Sequence, residues 1–138
     1  MNTQRYRKQH EDILGAIDKI DRKLDVEMLM FNAREVRLLI SGLFGKLKFH
    51  LSIEDKVIYP TLLRHEDSNI AHTAQRFFDE MGDIVDLLNS YDKRWSNEHK
   101  IKERPLEFMD ETQAIFKKLV LRTNVENKEL YALVDELP

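Results

Sequence analysis

The residues best placed to do chemistry are His50 and Glu54. They lie one helical turn apart and so share a helix face. That face is otherwise apolar: Val36, Leu39, Ile40, Leu43 and Leu47 lead into His50, and Val57, Ile58 and Thr61 follow Glu54. Setting residues at about 100° intervals puts Glu54 near the middle of the stripe. A carboxylate there must be paired, protonated or bound to a cation, because burying it alone is costly. Two more stripes carry the same kind of interruption. His10 falls among Tyr6, Ile13, Leu14, Ile17 and Leu24, and Glu126 falls among Phe108, Thr112, Ile115, Leu119, Leu130 and Leu133. Imidazoles and carboxylates together make a donor set suited to iron, manganese or zinc. A metal-free alternative stands beside this reading, in which the histidines are hydrogen-bonded core residues and Glu126 pairs with Arg122 one turn before it.

These side chains must be positioned by helices. The apolar periodicity predicts helix A over about Thr3–Leu24, helix B over Ala33–Arg64, helix C over Asn69–Trp95 and helix D over Pro105–Val134. Asn32 with Glu35 resembles a capping box at the start of helix B, and Pro60 should kink that helix or end it early. Asp67 or Ser68 can cap helix C, and Pro105 suits the first position of helix D. Residues 25–31 and 96–104 are expected to be connections. The apolar run Met28, Leu29, Met30 and Phe31 in the first is read as a plug folded over the end of the molecule, with a partner patch as the alternative. Four amphipathic helices with short links predict an antiparallel up-down-up-down four-helix bundle forming a single domain. A faint internal echo relates IEDKVIY at 53–59 to VENKELY at 125–131.

Helix C has no clear donor. His72 projects opposite Ile70, Phe77, Met81 and Ile84, on a face shared with Arg76 and Asp79, and should be wet. Glu80 flanks the stripe by about 90° and reaches roughly the depth of Glu54, which makes it the preferred fifth candidate. His65 and His99 fall in connections and should face solvent.

Composition narrows the field. The chain has 138 residues, enough for one domain with a core of its own. It has no cysteine, which excludes disulfides, iron–sulfur ligation and thiolate zinc. A net charge of −3 offers no general field for nucleic acid. With neither an 18-residue apolar run nor a signal-peptide pattern, a cytoplasmic, membrane-free protein is expected.

RKQHEDIL around His10, FHLSIEDKVIYP around His50 and Glu54, and VENKELY around Glu126 resemble the hemerythrin-like HHE family of cation-binding bundles. The order of these pieces follows the family across nearly the whole chain. The resemblance implies a non-haem iron site, often of two irons, that handles or senses dioxygen, nitric oxide or iron. His10, His50, Glu54 and Glu126 would be its iron ligands. Two positions depart from the pattern: Arg122 stands where the family's second helix-D histidine would be, and helix C has no inward histidine. A reduced site follows, holding one iron or two irons bound mostly by carboxylates, with Arg122 compensating charge because a guanidinium stays protonated and cannot ligate.

Three functions are therefore in play. The first is a sensor or carrier of a diatomic ligand or of iron. The second is an iron oxidase or peroxidase, for which Tyr6 and Tyr59 lie within plausible reach and the metal must keep an open position. The third is a metal-free interaction bundle in which Arg122, Glu54, Glu126 and the histidines close on one another.

Overall fold

A computed structural model describes residues 2–138, and these are all-helical apart from turns and termini. Helix α1 spans Gln4–Asp21 and α2 spans Val26–Lys56; a short α3, Ile58–Leu63, continues the second rod. Helix α4 spans Ser68–Arg94, followed by a short α5, Glu98–Glu103. The fourth rod consists of α6, Pro105–Val125, a π-helical turn at Glu126–Leu130, and α7, Tyr131–Asp135.

Neighbouring rods run in opposite directions, as the side-chain pairs between them show. Thr3 meets Asp135 while His10 meets Asn127. Likewise Tyr91 meets Thr112 while Arg122 reaches the carbonyl of Phe77. The antiparallel bundle expected from the four stripes is the observed architecture.

The departures are local and have physical causes. The second rod begins at Val26, because the Asp25 side chain accepts the Met28 N–H at 3.1 Å and nothing in residues 26–32 breaks a helix. Asn32 is therefore inside α2, and only Leu29 of the apolar run turns inward; Met28, Met30 and Phe31 are exposed. No plug of four residues exists. The rod breaks at Val57, three residues before Pro60, whose ring cannot tolerate the carbonyl four positions back and offers no N–H to it. The break shifts the helical phase, so Ile58 is buried while Val57 and Thr61 face out. Residues 96–104 hold a short helix rather than a plain loop: Asn97 caps the Lys100 N–H at 3.1 Å, and Ile101 is fully buried.

The core divides into two apolar clusters. One fills the end containing Leu29, Val36, Ile40, Trp95, Ile101 and Phe108. The other fills the opposite end with Tyr6, Ile58, Tyr59, Phe77, Leu130 and Tyr131. On three rods a polar residue sits where one cluster gives way to the other. His10 lies between Tyr6 and Ile13, His50 and Glu54 between Leu47 and Ile58, and Glu126 between Leu119 and Leu130.

Candidate metal centre

The seam between the two cores is a cluster of buried donors. His10, His50, Glu54 and Glu126 each turn one ligand atom inward, and the four atoms lie within 4.8 Å of one another. None of these residues is more than 3 % exposed. His10 Nε2 is 3.1 Å from Glu126 Oε1, and His50 Nε2 contacts Glu54 Oε1. The two imidazole rings lie 4.6 Å apart, centre to centre.

Each imidazole is oriented from behind. His10 Nδ1 meets the Asn127 side-chain oxygen at 2.8 Å, and His50 Nδ1 meets the Gln9 side-chain oxygen at 2.7 Å. With these oxygens accepting, both rings carry their proton on Nδ1 and direct a bare Nε2 lone pair at the centre. That is the arrangement in which a histidine binds a metal, and the hydrogen bond behind it fixes the tautomer and ring orientation. Gln9 and Asn127 are half-buried neighbours of inward-facing residues, so by periodicity they read as surface.

Tyr131 completes the constellation. Its hydroxyl donates to Glu54 Oε1 at 2.6 Å and lies 3.1 Å from the Nε2 of both histidines. On a straight helix Tyr131 would point well away from Glu126, five residues earlier. The π turn at Glu126–Leu130 brings both to one face and also turns Val134, rather than Leu133, into the core. The one sequence signal for Tyr131 is the 53–59/125–131 echo, which sets it in register with Tyr59.

Arg122 is buried beside the cluster at 7 % exposure and is fully engaged. Its Nε donates to Glu126 Oε2 at 3.3 Å, Nη1 to Glu80 Oε2 at 3.1 Å, and Nη2 to the Phe77 carbonyl at 2.6 Å. Its guanidinium also lies 4.6 Å from the centre of the Phe77 ring, close enough for a cation–π contact. Glu80 is not brought into the donor cluster. Its side chain is about half exposed and is held by Arg122 and, at 4.0 Å, by Arg76. At this level helix α4 offers the Phe77 ring and carbonyl, so the helix-C ligand expected at Glu80 is replaced by a contact to the guanidinium. His72 and His99 are exposed, and His65 is half-buried with its Nδ1 accepting the Asp67 N–H.

The electrostatics are lopsided. Arg122 offsets Glu126, but among the described residues no lysine or arginine pairs with Glu54, and Glu54 Oε2 has no hydrogen-bond partner. The effect reaches the neighbours. Tyr131 and Tyr59 are pushed far above the usual phenol range, first by burial and then by the negative charges of Glu54 and Glu126. Tyr6 and Asp55 are raised by burial and then by Glu54. A buried carboxylate with a spare lone-pair face, two bare imidazole nitrogens and a second carboxylate fit a metal cation better than they fit one another. Against the cluster lies a cavity of about 20 Å³, bounded by His10, His50, Glu126 and Arg122 and closed by Ile13, Leu47, Met81 and Leu119.

Among the described residues no helix is long and apolar enough to cross a membrane. A family model described as the hemerythrin HHE cation-binding domain matches residues 1–134. Comparisons with curated proteins and with solved structures gave no match.

Proposed function

The chain belongs to the hemerythrin HHE cation-binding domain family, and from that premise we propose that it holds a single iron ion between His10, His50, Glu54 and Glu126 and uses it to bind dioxygen or nitric oxide. The observation that carries the reading is the donor cluster itself: four buried ligand atoms within 4.8 Å, with Glu54 Oε2 unpartnered. Iron suits this mixed nitrogen and oxygen set. One ion rather than two is favoured by Arg122, whose guanidinium already neutralises Glu126 where a second cation would otherwise stand. Held by these four residues, iron would supply reversible binding of a diatomic molecule.

The chain's own residues supply the rest. Gln9 and Asn127 hold the imidazoles in the binding tautomer. Ile13, Leu47, Met81 and Leu119 give the adjoining cavity an apolar wall opposite the polar cluster, and its 20 Å³ admits about one molecule of water size, the scale of a diatomic gas. Such a cavity favours a small uncharged ligand and excludes a larger substrate.

Anaerobic loading with ferrous iron followed by metal analysis and nitric oxide titration tests the reading. The expected result is one iron per chain and a new absorption on adding nitric oxide. Two irons per chain would overturn the single-ion assignment. Steady peroxide turnover would make the protein an enzyme, and failure to retain any metal would leave the interaction bundle.

A further inference from the structure

We propose that Tyr131 is itself a metal ligand, binding through its phenolate oxygen and making a five-donor set with His10, His50, Glu54 and Glu126. The proposal rests on the reading of the cluster as a metal site.

The first argument is position. The Tyr131 oxygen lies within 3.1 Å of three of the four donor atoms. An ion on the phenol's side of those donors meets the phenol oxygen as well.

The second is a count of protons. With both Nδ1 protons directed at Gln9 and Asn127, the two Nε2 atoms are acceptors, and so is Glu54 Oε1. Three acceptors face one O–H. Once that proton is given to Glu54, both imidazole contacts set lone pair against lone pair, a buried mismatch that native structures avoid. A cation removes it. The O–H bond breaks, the proton leaves to buffer, an oxygen–metal bond forms, and every lone pair then faces positive charge. No electron moves.

The third is immobility. The Tyr131 ring is fully buried, stacked on His10 at 5.0 Å, packed against Tyr6 at 5.9 Å, and lies 5.6 Å below the Arg7 guanidinium. It is held where it stands when an ion arrives. The fourth is the backbone: the π turn that puts Tyr131 in the site is an irregularity frequent at functional positions, and a merely space-filling tyrosine would not require it.

The test is to load the full chain with ferric ion supplied as the citrate chelate. Bound iron is then measured by metal analysis and the ligand by visible absorption and resonance Raman spectroscopy. The wild type should show a phenolate-to-iron charge-transfer band with enhanced tyrosine ring modes. Tyr131→Phe should lose the band and bind iron at least roughly 10-fold more weakly, the smallest effect seen even for residues behind the ligands. The chain has four tyrosines. Tyr6→Phe, Tyr59→Phe and Tyr91→Phe should each keep the band, which assigns it to Tyr131 even if Tyr131→Phe does not fold. Iron bound to the wild type without the band, or a band surviving in Tyr131→Phe, overturns the proposal while leaving the four-donor site intact. No iron bound to the wild type overturns that site as well.

Discussion

Tyr91 and Tyr131 are both buried phenols in the middle of a helical bundle, one in each apolar cluster, and their surroundings differ in one respect. The Tyr91 hydroxyl lies 2.6 Å from Thr112 Oγ1, and Thr112 donates at 2.6 Å to the Phe108 carbonyl. Each proton there has an acceptor and the chain closes. Around Tyr131 the acceptors outnumber the protons, and close by Glu54 Oε2 and the Tyr59 hydroxyl have no close hydrogen-bond partner among the described residues. Buried polar groups that serve folding are satisfied by the protein. A set left open at the same depth is satisfied by something the protein binds. The contrast separates the polar residues this fold needs from those its function needs.

The largest test of that contrast is Glu54→Leu. In the open cluster it should abolish most metal binding, beyond the roughly 100-fold lost when residues behind the ligands are changed. The metal-free protein should nevertheless melt no lower than wild type in chelator, because the substitution removes an unpaired buried charge and Tyr131 can donate to either Nε2 instead. Wild type in metal at 100 times its dissociation constant should gain about 2.7 kcal/mol, roughly 5–10 °C for a chain of this size, and the variant should gain none. A variant destabilised in chelator with metal binding intact would erase the distinction. Next in size are Gln9→Ala and Asn127→Ala, which free the imidazoles to rotate. Each should weaken metal binding by about 10–100-fold and, by leaving a buried Nδ1–H without its acceptor, cost about 1–3 kcal/mol in chelator melts; unchanged affinity would remove both from the site.

The closed pair should respond in the opposite sense. Thr112→Val leaves the Tyr91 hydroxyl buried without an acceptor and should cost about 1–3 kcal/mol; Tyr91→Phe leaves Thr112 bonded to Phe108 and should cost about 1 kcal/mol. Neither should affect metal binding. Tyr59→Phe removes a buried hydroxyl with no close hydrogen-bond partner among the described residues, so the metal-free protein should be as stable as wild type or more so. Denaturant melts of the three variants in chelator decide it: a loss in Tyr59→Phe as large as in Tyr91→Phe would show that the open cluster is as internally satisfied as the closed one.

The same contrast explains what could be read without coordinates. The bundle was legible because four stripes with a 3.6-residue period fix four amphipathic faces, and Asp67 and Pro105 mark two helix starts chemically. His10, His50, Glu54 and Glu126 were legible as single polar residues in apolar stripes. Tyr131 was not, because one π turn changes the period locally and leaves no mark in composition. Gln9 and Asn127 were not, because a residue beside an inward one projects as surface although its amide reaches back. Glu80 was misplaced because depth along a rod does not say what fills the interior there, and Phe77 with Arg122 fills it. Helix α5 was missed because its one inward residue, Ile101, is too little to show a period.

The smallest test concerns how the open end is held shut. Thr3 donates to Asp135 Oδ1 from its N–H at 3.1 Å and from its hydroxyl at 2.7 Å, while Arg7 reaches Oδ2 at 3.2 Å, tying the first turn of α1 to the last of α7. Partial burial alone would raise the Asp135 carboxyl, but the hydrogen bonds from Thr3 and Arg7 outweigh it and hold the group below the usual carboxylate range. A depressed folded value stabilises the fold above the unfolded pKa of about 3.9 and ceases to do so as pH falls through the folded value. Because the side chain is 40 % exposed, solvent screening keeps the gain small, under about 1 kcal/mol. Asp135→Asn should therefore melt slightly below wild type at pH 7 and at pH 5, and the gap should close on acidification below about pH 4. A gap of constant size across that range would mean the clasp works through shape rather than charge.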